Sequence, residues 1–323
     1  MQTPILYMAP LRGITDHLFR TVFTHHFGGF DAAVAPFVSS KRDTVFKPKY
    51  IRDVLPENNP ELPVVPQILS KSAEEFVALA NYMHEFGYET VNWNLGCPFP
   101  MVAKKRRGSG MLPYTEEIDA FLNLACRLLR GRLSIKLRLG WHDPGDIVRL
   151  IPILNAYPLE DVIIHPRTGL QRYDGSVDLD AFQKCLPLIA HTVVYNGDIN
   201  TFADYRRISD RFPGINRWMI GRGCVSDPFL PMEIKSPQNR IPEKRQRFKA
   251  FHGDLFDAYS SLLSGPSHVM NKMKGFWQYF ERLFENCGKE MKKIRKSRRP
   301  EEYLSRVDHF LDTAAHLVTA PRE

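Results

Sequence analysis

The sequence of 323 residues contains little cysteine, and its five cysteines are scattered along the chain. They stand at positions 97, 126, 185, 224 and 287, and no two of them form a CxxC pair. This spacing argues against a zinc site, an iron–sulfur cluster and a disulfide framework. We therefore expect no bound metal, and we expect a reduced protein of the cytoplasm.

Long apolar segments are also missing from the sequence. No run of about 18 uninterrupted apolar residues occurs, so no transmembrane helix is expected. The amino-terminal segment MQTPILYMAP lacks a basic start followed by an apolar core, so we expect no secretion signal. Hydrophobic residues make up 43% of the chain and charged residues 25%, which is typical of a globular protein with a large core.

Acidic residues are scarce relative to basic ones near the carboxyl terminus. The net charge of the chain is +8. Residues 1–235 carry 27 Lys and Arg against 25 Asp and Glu, whereas residues 236–323 carry 17 against 11. This asymmetry suggests a polyanionic partner, nucleic acid first and an anionic membrane second, and a solvated helical surface is the alternative interpretation.

Short apolar segments recur along the first two thirds of the chain and predict eight strands. Helical patterns lie between them, for example over 72–87, 115–129 and 201–212, with Ser72 and Thr115 as expected N-caps and a capping box from Ser72 to Glu75. Strands that alternate with helices predict a (β/α)8 TIM barrel, and a doubly wound sheet is less favoured because no GxGxxG follows the first strand. The predicted strands are 5–10, 32–37, 63–69, 90–96, 133–139, 161–167, 192–198 and 218–223.

Strand patterns stop after residue 235, where a polar linker containing proline begins. Helical patterns follow over 248–263, 269–284 and 301–318, and the basic run KKIRKSRRP lies between the last two. We therefore expect a catalytic TIM barrel over residues 1–235 and a small all-helical domain over 236–323. The aromatic residues of this second part recur at helical spacing, which indicates a core more than a cofactor site.

Residues with reactive side chains cluster at the carboxyl ends of the predicted strands, where TIM barrels build their active sites. Cys97 follows a strand and stands between a glycine and a proline, so it is presented to a ligand. Lys136 and His165 end adjacent strands. A lysine inside the protein needs an electron-rich partner, which is either a bound ligand or an acidic side chain in a buried ion pair. The segments NGD (196–198) and GRG (221–223) end the last two strands, where backbone N–H groups and Arg222 are expected to bind a phosphate.

Seven segments, in order, resemble the flavin-dependent tRNA-dihydrouridine synthase family. They are YMAPLRGITDHLFR, PQILS, NWNLGCPFPMVAKKRRGSGMLP, IKLRLGW, IIHPRTGLQRYDG, VVYNGDI and MIGRG. The resemblance implies an oxidoreductase that uses FMN and NADPH to reduce a uridine of the tRNA D-loop to 5,6-dihydrouridine. It also implies that hydride passes from N5 of the flavin to C6 of the base and that Cys97 protonates C5. A free thiol has a pKa of about 8.5, so it is mostly protonated at neutral pH and can act as the acid. We expect a monomer that binds tRNA and no DNA.

The resemblance also implies roles for individual residues. Two positions depart from the family pattern, because Asn92 stands where an aspartate is usual and Pro100 where a basic residue is common. The residues expected to bind FMN are Pro10, Leu11, Gln67, Lys136, His165, Asn196, Gly197, Asp198, Gly221 and Arg222. The residues expected to contact the RNA are Asn94, Tyr173, Arg167, Lys104, Lys105, Arg295 and Arg298.

Two other functions fit part of the pattern. An FMN-dependent barrel oxidoreductase of a small pyrimidine such as dihydroorotate would share the flavin residues, but it leaves the basic helical segment unexplained. A non-catalytic RNA-binding protein on the same fold would explain the basic segment, but it would not require Cys97, Lys136 and Arg222.

Overall fold

The fold is built around one parallel sheet of ten short strands, seen in a computed structural model that describes residues 3–40, 48–239 and 241–318. The strands are β1 (Ile5–Met8), β2 (Ala32–Val34), β3 (Val38–Ser39), β4 (Val64–Val65), β5 (Gln67–Leu69), β6 (Thr90–Leu95), β7 (Arg132–Gly140), β8 (Leu159–Thr168), β9 (Val193–Tyr195) and β10 (Arg217–Ile220). Their order in the sheet is β3-β5-β6-β7-β8-β9-β10-β1-β2-β4.

The sheet closes on itself through residues 64–69. β4 pairs with β2, β5 pairs with β6, and only Pro66 separates β4 from β5. Proline has no N–H group to donate to the ladder, so it divides one strand into two pieces. Pro36 lies in the same way between β2 and β3. The ten pieces are therefore eight barrel strands, two of them interrupted, and the predicted TIM barrel is confirmed.

The helices between the strands bury one face each. In the fifth helix the buried residues include Ile118 and Phe121, and the Phe121 ring stacks on Trp93 of β6 with a centroid distance of 3.7 Å. Such packing holds each helix against the strand beneath it. The barrel helices are α1 (His17–His26), α2 (Pro48–Ile51), α3 (Ala73–Glu85), α4 (Pro100–Ala103), α5 (Thr115–Leu128), α6 (Asp146–Asn155), α7 (Leu179–Cys185), α8 (Phe202–Arg211), α9 (Arg222–Ser226) and α10 (Leu230–Lys235).

Helix starts agree with the sequence only in part. The Ser72 hydroxyl accepts a bond from the Glu75 N–H, as predicted, but the Glu75 carboxylate accepts from Ser40 at 3.0 Å and does not complete the capping box. Thr115 is the first residue of α5 and is not its N-cap. The reciprocal capping box lies instead at Thr201 and Asp204, at the start of α8.

The carboxyl-terminal part is helical, as expected, but its described residues, 241–318, form four helices and not three. The basic run predicted between two helices forms most of the third, in which Met291 and Ile294 are buried and the lysines and arginines are exposed. The elements are α11 (Lys244–Leu262), α12 (Pro266–Phe280), α13 (Gly288–Lys296), α14 (Pro300–His309) and the two-residue strands β11 (Phe284–Glu285) and β12 (His316–Leu317). In the part of the chain that the structure describes, no helix combines the length and apolarity needed to cross a bilayer.

The barrel and the carboxyl-terminal helices share one apolar core. Phe19 of α1 stacks on Phe276 of α12 with a centroid distance of 5.5 Å, and Phe27 contacts Phe251 of α11 at 4.9 Å. A boundary at residue 235 therefore divides two kinds of secondary structure, and aromatic packing joins the two parts. That the two parts are separate domains remains a proposal.

Candidate functional site

A cleft opens at the carboxyl ends of the barrel strands. It consists of two adjoining cavities with empty volumes of about 520 Å³ and 510 Å³. Pro10, Lys136, His165 and Tyr173 line both cavities, so the two lie side by side, and we call them together the mouth cleft. One cavity ends at the loops after β9 and β10, and the other ends at Cys97.

The first cavity has a floor of backbone where side chains do not fit. A Cβ atom at Gly197 would lie 2.9 Å from Val177 Cγ1, and one at Gly223 would lie 2.0 Å from the Ile199 carbonyl oxygen. This close packing requires glycine at both positions, and both residues line the cavity. Arg222 stands beside them, and a guanidinium with open backbone N–H groups is the donor set that binds phosphate.

Asp198 organises this cavity through its carboxylate. It accepts two bonds from Arg167, at 2.9 and 2.6 Å, and one from Arg222 at 3.1 Å. A carboxylate repels a phosphate, so the side chain of Asp198 positions Arg222, and only its backbone is suited to the phosphate contact that the sequence suggests.

Arg167 lies inside the protein, with 2% of its surface exposed. Besides the pair with Asp198, it donates to the Gly175 carbonyl oxygen at 2.5 Å and to His165 Nε2 at 3.1 Å. These bonds give Arg167 a supporting position beneath the mouth cleft. This position differs from the direct RNA contact predicted from the sequence.

His165 is buried and uncharged. Burial, and the nearby cations Arg138, Lys136 and Arg167, hold its pKa well below the ordinary value of 6.5. Because Arg167 can only donate, Nε2 of His165 must accept, and the ring proton therefore lies on Nδ1. The mouth cleft is thus lined by a neutral imidazole with its donor nitrogen fixed.

Lys136 is a cation that lines both cavities of the mouth cleft. Burial, and then the neighbouring Arg138, lower its pKa from 10.5 to about 7. Among the described residues, none forms a hydrogen bond or an ion pair with Lys136 Nζ. A lysine in this state gains from a bound group that carries negative charge.

The turn that carries Cys97 is fixed by bonds on both sides. Asn94 Oδ1 accepts from the N–H groups of Gly96, at 3.1 Å, and of Cys97, at 2.9 Å. Ser109 donates to the Cys97 carbonyl oxygen from its N–H and from its hydroxyl, at 3.1 and 3.0 Å. Gly108 has φ +56°, and a Cβ atom there would lie 2.6 Å from that carbonyl oxygen. The turn therefore requires glycine, and it presents the thiol to the cleft.

The Cys97 thiol is 8% exposed, and burial raises its pKa above the ordinary value. A hydrogen bond from the Phe99 backbone, and then the cations Arg12, Arg138 and Lys136, oppose this shift more weakly. The side chain is therefore a protonated thiol at neutral pH and is suited to donate a proton.

A line of buried side chains, which we call the amide relay, runs from this turn through the barrel. Asn94 donates to Gln67, Gln67 to Asn92, and Asn92 to Ser134, each at 2.7 Å. Ser134 then donates to Asp161 at 2.5 Å. The backbone N–H groups at Asn94 Oδ1 set the direction of every following bond.

The amide relay limits what its upper members can offer to a ligand. Asn94 and Gln67, predicted to contact the uracil and the flavin, each keep one amide N–H outside the relay. Those two contacts remain predictions.

Arg138 is a site residue that the sequence argument missed. It is 2% exposed and donates to the carbonyl oxygens of Gly96 (3.0 Å), Thr168 (2.8 Å) and Arg172 (2.6 Å). Its guanidinium lies 5.3 Å from the centroid of the Tyr173 ring. The sequence spacing could have indicated it. Arg138 follows Lys136 by two residues in an apolar strand, so the two side chains lie on the same face of the strand.

The other predicted residues occupy three places. Pro10 and Leu11 line the mouth cleft, and Tyr173, 40% exposed, covers it near Arg222. Lys104 and Lys105 are exposed at the barrel rim, just after α4. Arg295 and Arg298 lie on and just after α13, outside the cleft, and Arg295 forms an ion pair with Glu281 at 2.5 Å.

Known proteins resemble this chain over most of its length. A family model described as dihydrouridine synthase matches residues 7–320. A tRNA-dihydrouridine(16) synthase of Neisseria meningitidis is 28% identical over 254 residues, covering 75% of this chain and 74% of the relative. A protein of the same name from Ralstonia nicotianae is 25% identical over 315 residues, covering 95% and 96%. A tRNA-dihydrouridine synthase B of Pasteurella multocida is 25% identical over 226 residues, covering 70% and 67%.

Among solved structures, the old yellow enzyme from Trypanosoma cruzi is similar with a TM-score of 0.52 at 10% identity. The match covers 75% of this chain and 91% of that chain. At this identity the likeness concerns the fold alone, and it agrees with the barrel described above.

Proposed function

Since the chain belongs to the dihydrouridine synthase family, we propose that it acts on tRNA and reduces a uridine of the D-loop to 5,6-dihydrouridine. The protein is a flavin-dependent oxidoreductase, and in our proposal FMN is its flavin and NADPH its reductant. We also propose that it works as a monomer in the cytoplasm. The observation that carries the proposal is that a protonated cysteine and an unpartnered lysine line the same cleft.

The residues of the mouth cleft fit FMN. Arg222 and the backbone N–H groups at Gly197 and Gly221, which line the cavity, would hold the phosphate. Lys136 would lie near the pyrimidine end of the flavin ring, where a positive charge favours the reduced form. His165 would donate from Nδ1, because its Nε2 is already occupied. When bound and reduced by NADPH, FMN supplies a hydride from N5 to C6 of the uracil.

Cys97 supplies the proton in this proposal. Its Sγ–H bond breaks and a C–H bond forms at C5, while C6 receives the hydride, so that the C5=C6 double bond is lost and charge balances. The thiolate that remains is stabilised by the cations Lys136 and Arg138 until water returns a proton. The fixed turn of Asn94 and Gly108 holds Sγ in place, so that little rearrangement is needed.

The target base has to leave its stack to reach Cys97, and the cost is offset by contacts elsewhere on the RNA. Tyr173, which lines the cleft and is 40% exposed, would contact the flipped base. Lys292, Lys293 and the basic residues around them on α13 would contact tRNA phosphates.

The proposal is tested with purified protein and unmodified tRNA. We expect a yellow protein with non-covalent FMN that oxidises NADPH and forms dihydrouridine, which primer extension or mass spectrometry maps to one position. Dihydrouridine at that position should be absent from a strain that lacks the gene. Flavin-loaded protein that reduces no tRNA but turns over orotate or dihydroorotate would overturn the proposal, as would a protein that binds tRNA but no flavin.

A further inference from the structure

A second groove lies on the barrel rim beside the mouth cleft. Three loops line it: residues 98–114 after β6, residues 141–142 after β7 and residues 169–174 after β8. Its volume is about 660 Å³, within the range of about 300–1,000 Å³ that is usual for small-ligand pockets. We call it the rim groove. No residue assigned so far to the flavin or to the reacting base explains it.

The rim groove carries free positive charge. Lys104, Arg106 and Arg172 line it, against one carboxylate, Asp174. Within the described ranges no residue bonds or pairs with the side chains of Lys104 and Arg172, whereas Arg106 pairs with Glu117 at 2.7 Å. Such a surface fits an anion.

Arg106 and Arg172 also share an uncommon backbone conformation. Both have φ +50°, in the left-handed region that residues other than glycine seldom occupy. Surrounding structure must hold them there, and the Arg172 carbonyl is indeed bound by the buried Arg138. Backbone strain of this kind concentrates where a protein binds or reacts.

Aromatic side chains line the same groove. Trp141 lies so close to Gly169 that a Cβ atom there would be 2.1 Å from its Cε3, so glycine lets the indole ring approach the backbone. Tyr114 is 36% exposed, and its ring lies 4.2 Å from the Arg106 guanidinium. Aromatic rings in a groove that also contains the unpaired cations Lys104 and Arg172 form the kind of surface that binds unstacked nucleotides. Every base has a face to stack, and every link carries a phosphate.

The rim groove and the mouth cleft share a wall. Pro98, the residue after Cys97, lines both. Tyr173 lines the cleft, and its two neighbours in sequence, Arg172 and Asp174, line the groove. The groove therefore adjoins the cleft on the side of Cys97.

We propose that the rim groove binds the nucleotide adjacent to the target uridine, with its base on Tyr114 and Trp141 and its phosphate at Lys104 and Arg172. The inference rests on the proposed function. When the target base leaves its stack, its neighbour loses a stacking partner, and the groove supplies another. The groove thereby contributes to the choice of uridine.

The stacking contact is tested with tRNA transcripts that carry an abasic residue on the 5′ or the 3′ side of the target uridine. For the wild-type protein we expect kcat/KM for dihydrouridine formation to fall about tenfold with one of the two transcripts. With intact tRNA, Tyr114→Leu should lower kcat/KM about tenfold relative to wild type. With that abasic transcript, kcat/KM of this variant should fall little further. Tyr114→Phe, which keeps the ring, should behave as wild type.

The phosphate contact is tested with the double variant Lys104→Ala and Arg172→Asn, since asparagine tolerates the left-handed backbone. We expect tRNA binding to weaken about tenfold and its salt dependence to become shallower. Lys184→Ala and Arg130→Asn replace exposed cations outside both cavities and should leave binding unchanged. The thermal unfolding midpoint of each variant reports whether it is folded.

Two results would overturn the inference. The first is an equal kcat/KM for wild-type protein on intact and both abasic transcripts, which would leave the rim groove for a protein or small-molecule ligand. The second is unchanged tRNA binding by a folded double variant. A flavin-loaded wild-type protein that forms no dihydrouridine in any tRNA would instead overturn the proposed function, and the inference with it.

Discussion

The molecule presents two basic surfaces, and they differ in what surrounds their charges. On α13, Lys292, Lys293 and Lys296 are exposed, whereas Met291 and Ile294 form the buried face of the helix. Between residues 241 and 318, the only large apolar side chain that is clearly exposed is Leu262. The α13 surface therefore offers charge alone.

The rim groove offers fewer charges but a richer environment. Its cations stand beside Trp141 and Tyr114, and it shares a wall with the cleft that contains Cys97. A count of charges along the sequence therefore finds a surface that sets the affinity for RNA. Recognition of a particular nucleotide also requires aromatic side chains and proximity to the reacting group. The predictions below separate these contributions.

The largest expected effect separates chemistry from binding. Cys97→Ala should lower dihydrouridine formation by about 10²- to 10⁴-fold, because a positioned general acid is lost. Binding of tRNA and oxidation of NADPH should change little. Cys126→Ala, at a half-buried cysteine of α5, is the control and should be fully active. A wild-type rate for Cys97→Ala would refute the role given to this thiol.

The next effect tests the α13 surface. Glutamine at Lys292, Lys293, Lys296, Arg298 and Arg299 should weaken tRNA binding about tenfold or more at low salt. For each phosphate that the protein no longer neutralises, the slope of log K against log salt should become shallower by about 0.9 or less. FMN content should not change. If the binding constant and the slope stay at their wild-type values, these charges only solvate the helix, and the rim becomes the main RNA surface.

A smaller effect concerns the pH dependence of folding stability, in which Lys136 of the cleft should differ from the lysines of α13. The pKa of Lys136 is lowered to about 7, so between pH 7 and its ordinary value of 10.5 the unfolded chain holds a proton that the folded, flavin-free protein lacks. The folded state is therefore stabilised as pH rises through this window, by at most about 1.4 kcal/mol per pH unit. Lys136→Met should remove this rise, and Lys292→Met should keep it. Parallel unfolding profiles of wild type and Lys136→Met, followed by denaturant titration from pH 7 to 10, would contradict the assignment.

The smallest expected effect lies within the basic segment itself. Arg295 pairs with Glu281, whereas the described residues provide no ion pair for the side chain of Arg298. Arg298→Gln should therefore weaken tRNA binding about two- to threefold, and Arg295→Gln should weaken it less. Filter binding at constant salt measures both, and the reverse order would show that the Glu281 pair opens when RNA binds.

The sequence predicted the barrel because each strand shows as a short apolar segment that ends in turn residues. It did not predict α13, since only Met291 and Ile294 mark the apolar face of that helix and six cations stand among and after them. The interruptions at Pro36 and Pro66 also had no counterpart in the predicted strands, although proline is the residue that explains them.

The chemistry of the cleft could be predicted as residue types but not as contacts. Lys136 and His165 were visible as polar residues at strand ends. The pairing of Arg167 with Asp198 depends on how β8 and the loop after β9 meet, and that meeting follows from strand register and loop conformation. Sequence spacing contains no information on it, so Arg167 was assigned to the RNA when its bonds lie inside the protein.

The amide relay makes two distant positions depend on each other. An aspartate at position 92 would accept from Gln67 but could not donate to Ser134. The serine hydroxyl would then face a carboxylate on each side with one proton to give. Asn92 and Asp161 are therefore a matched pair in which one member is an amide and the other an acid. Exchanging the two would keep a single negative charge inside the barrel, whereas changing either alone would leave two charges or none, so these positions are expected to change together as such proteins diverge.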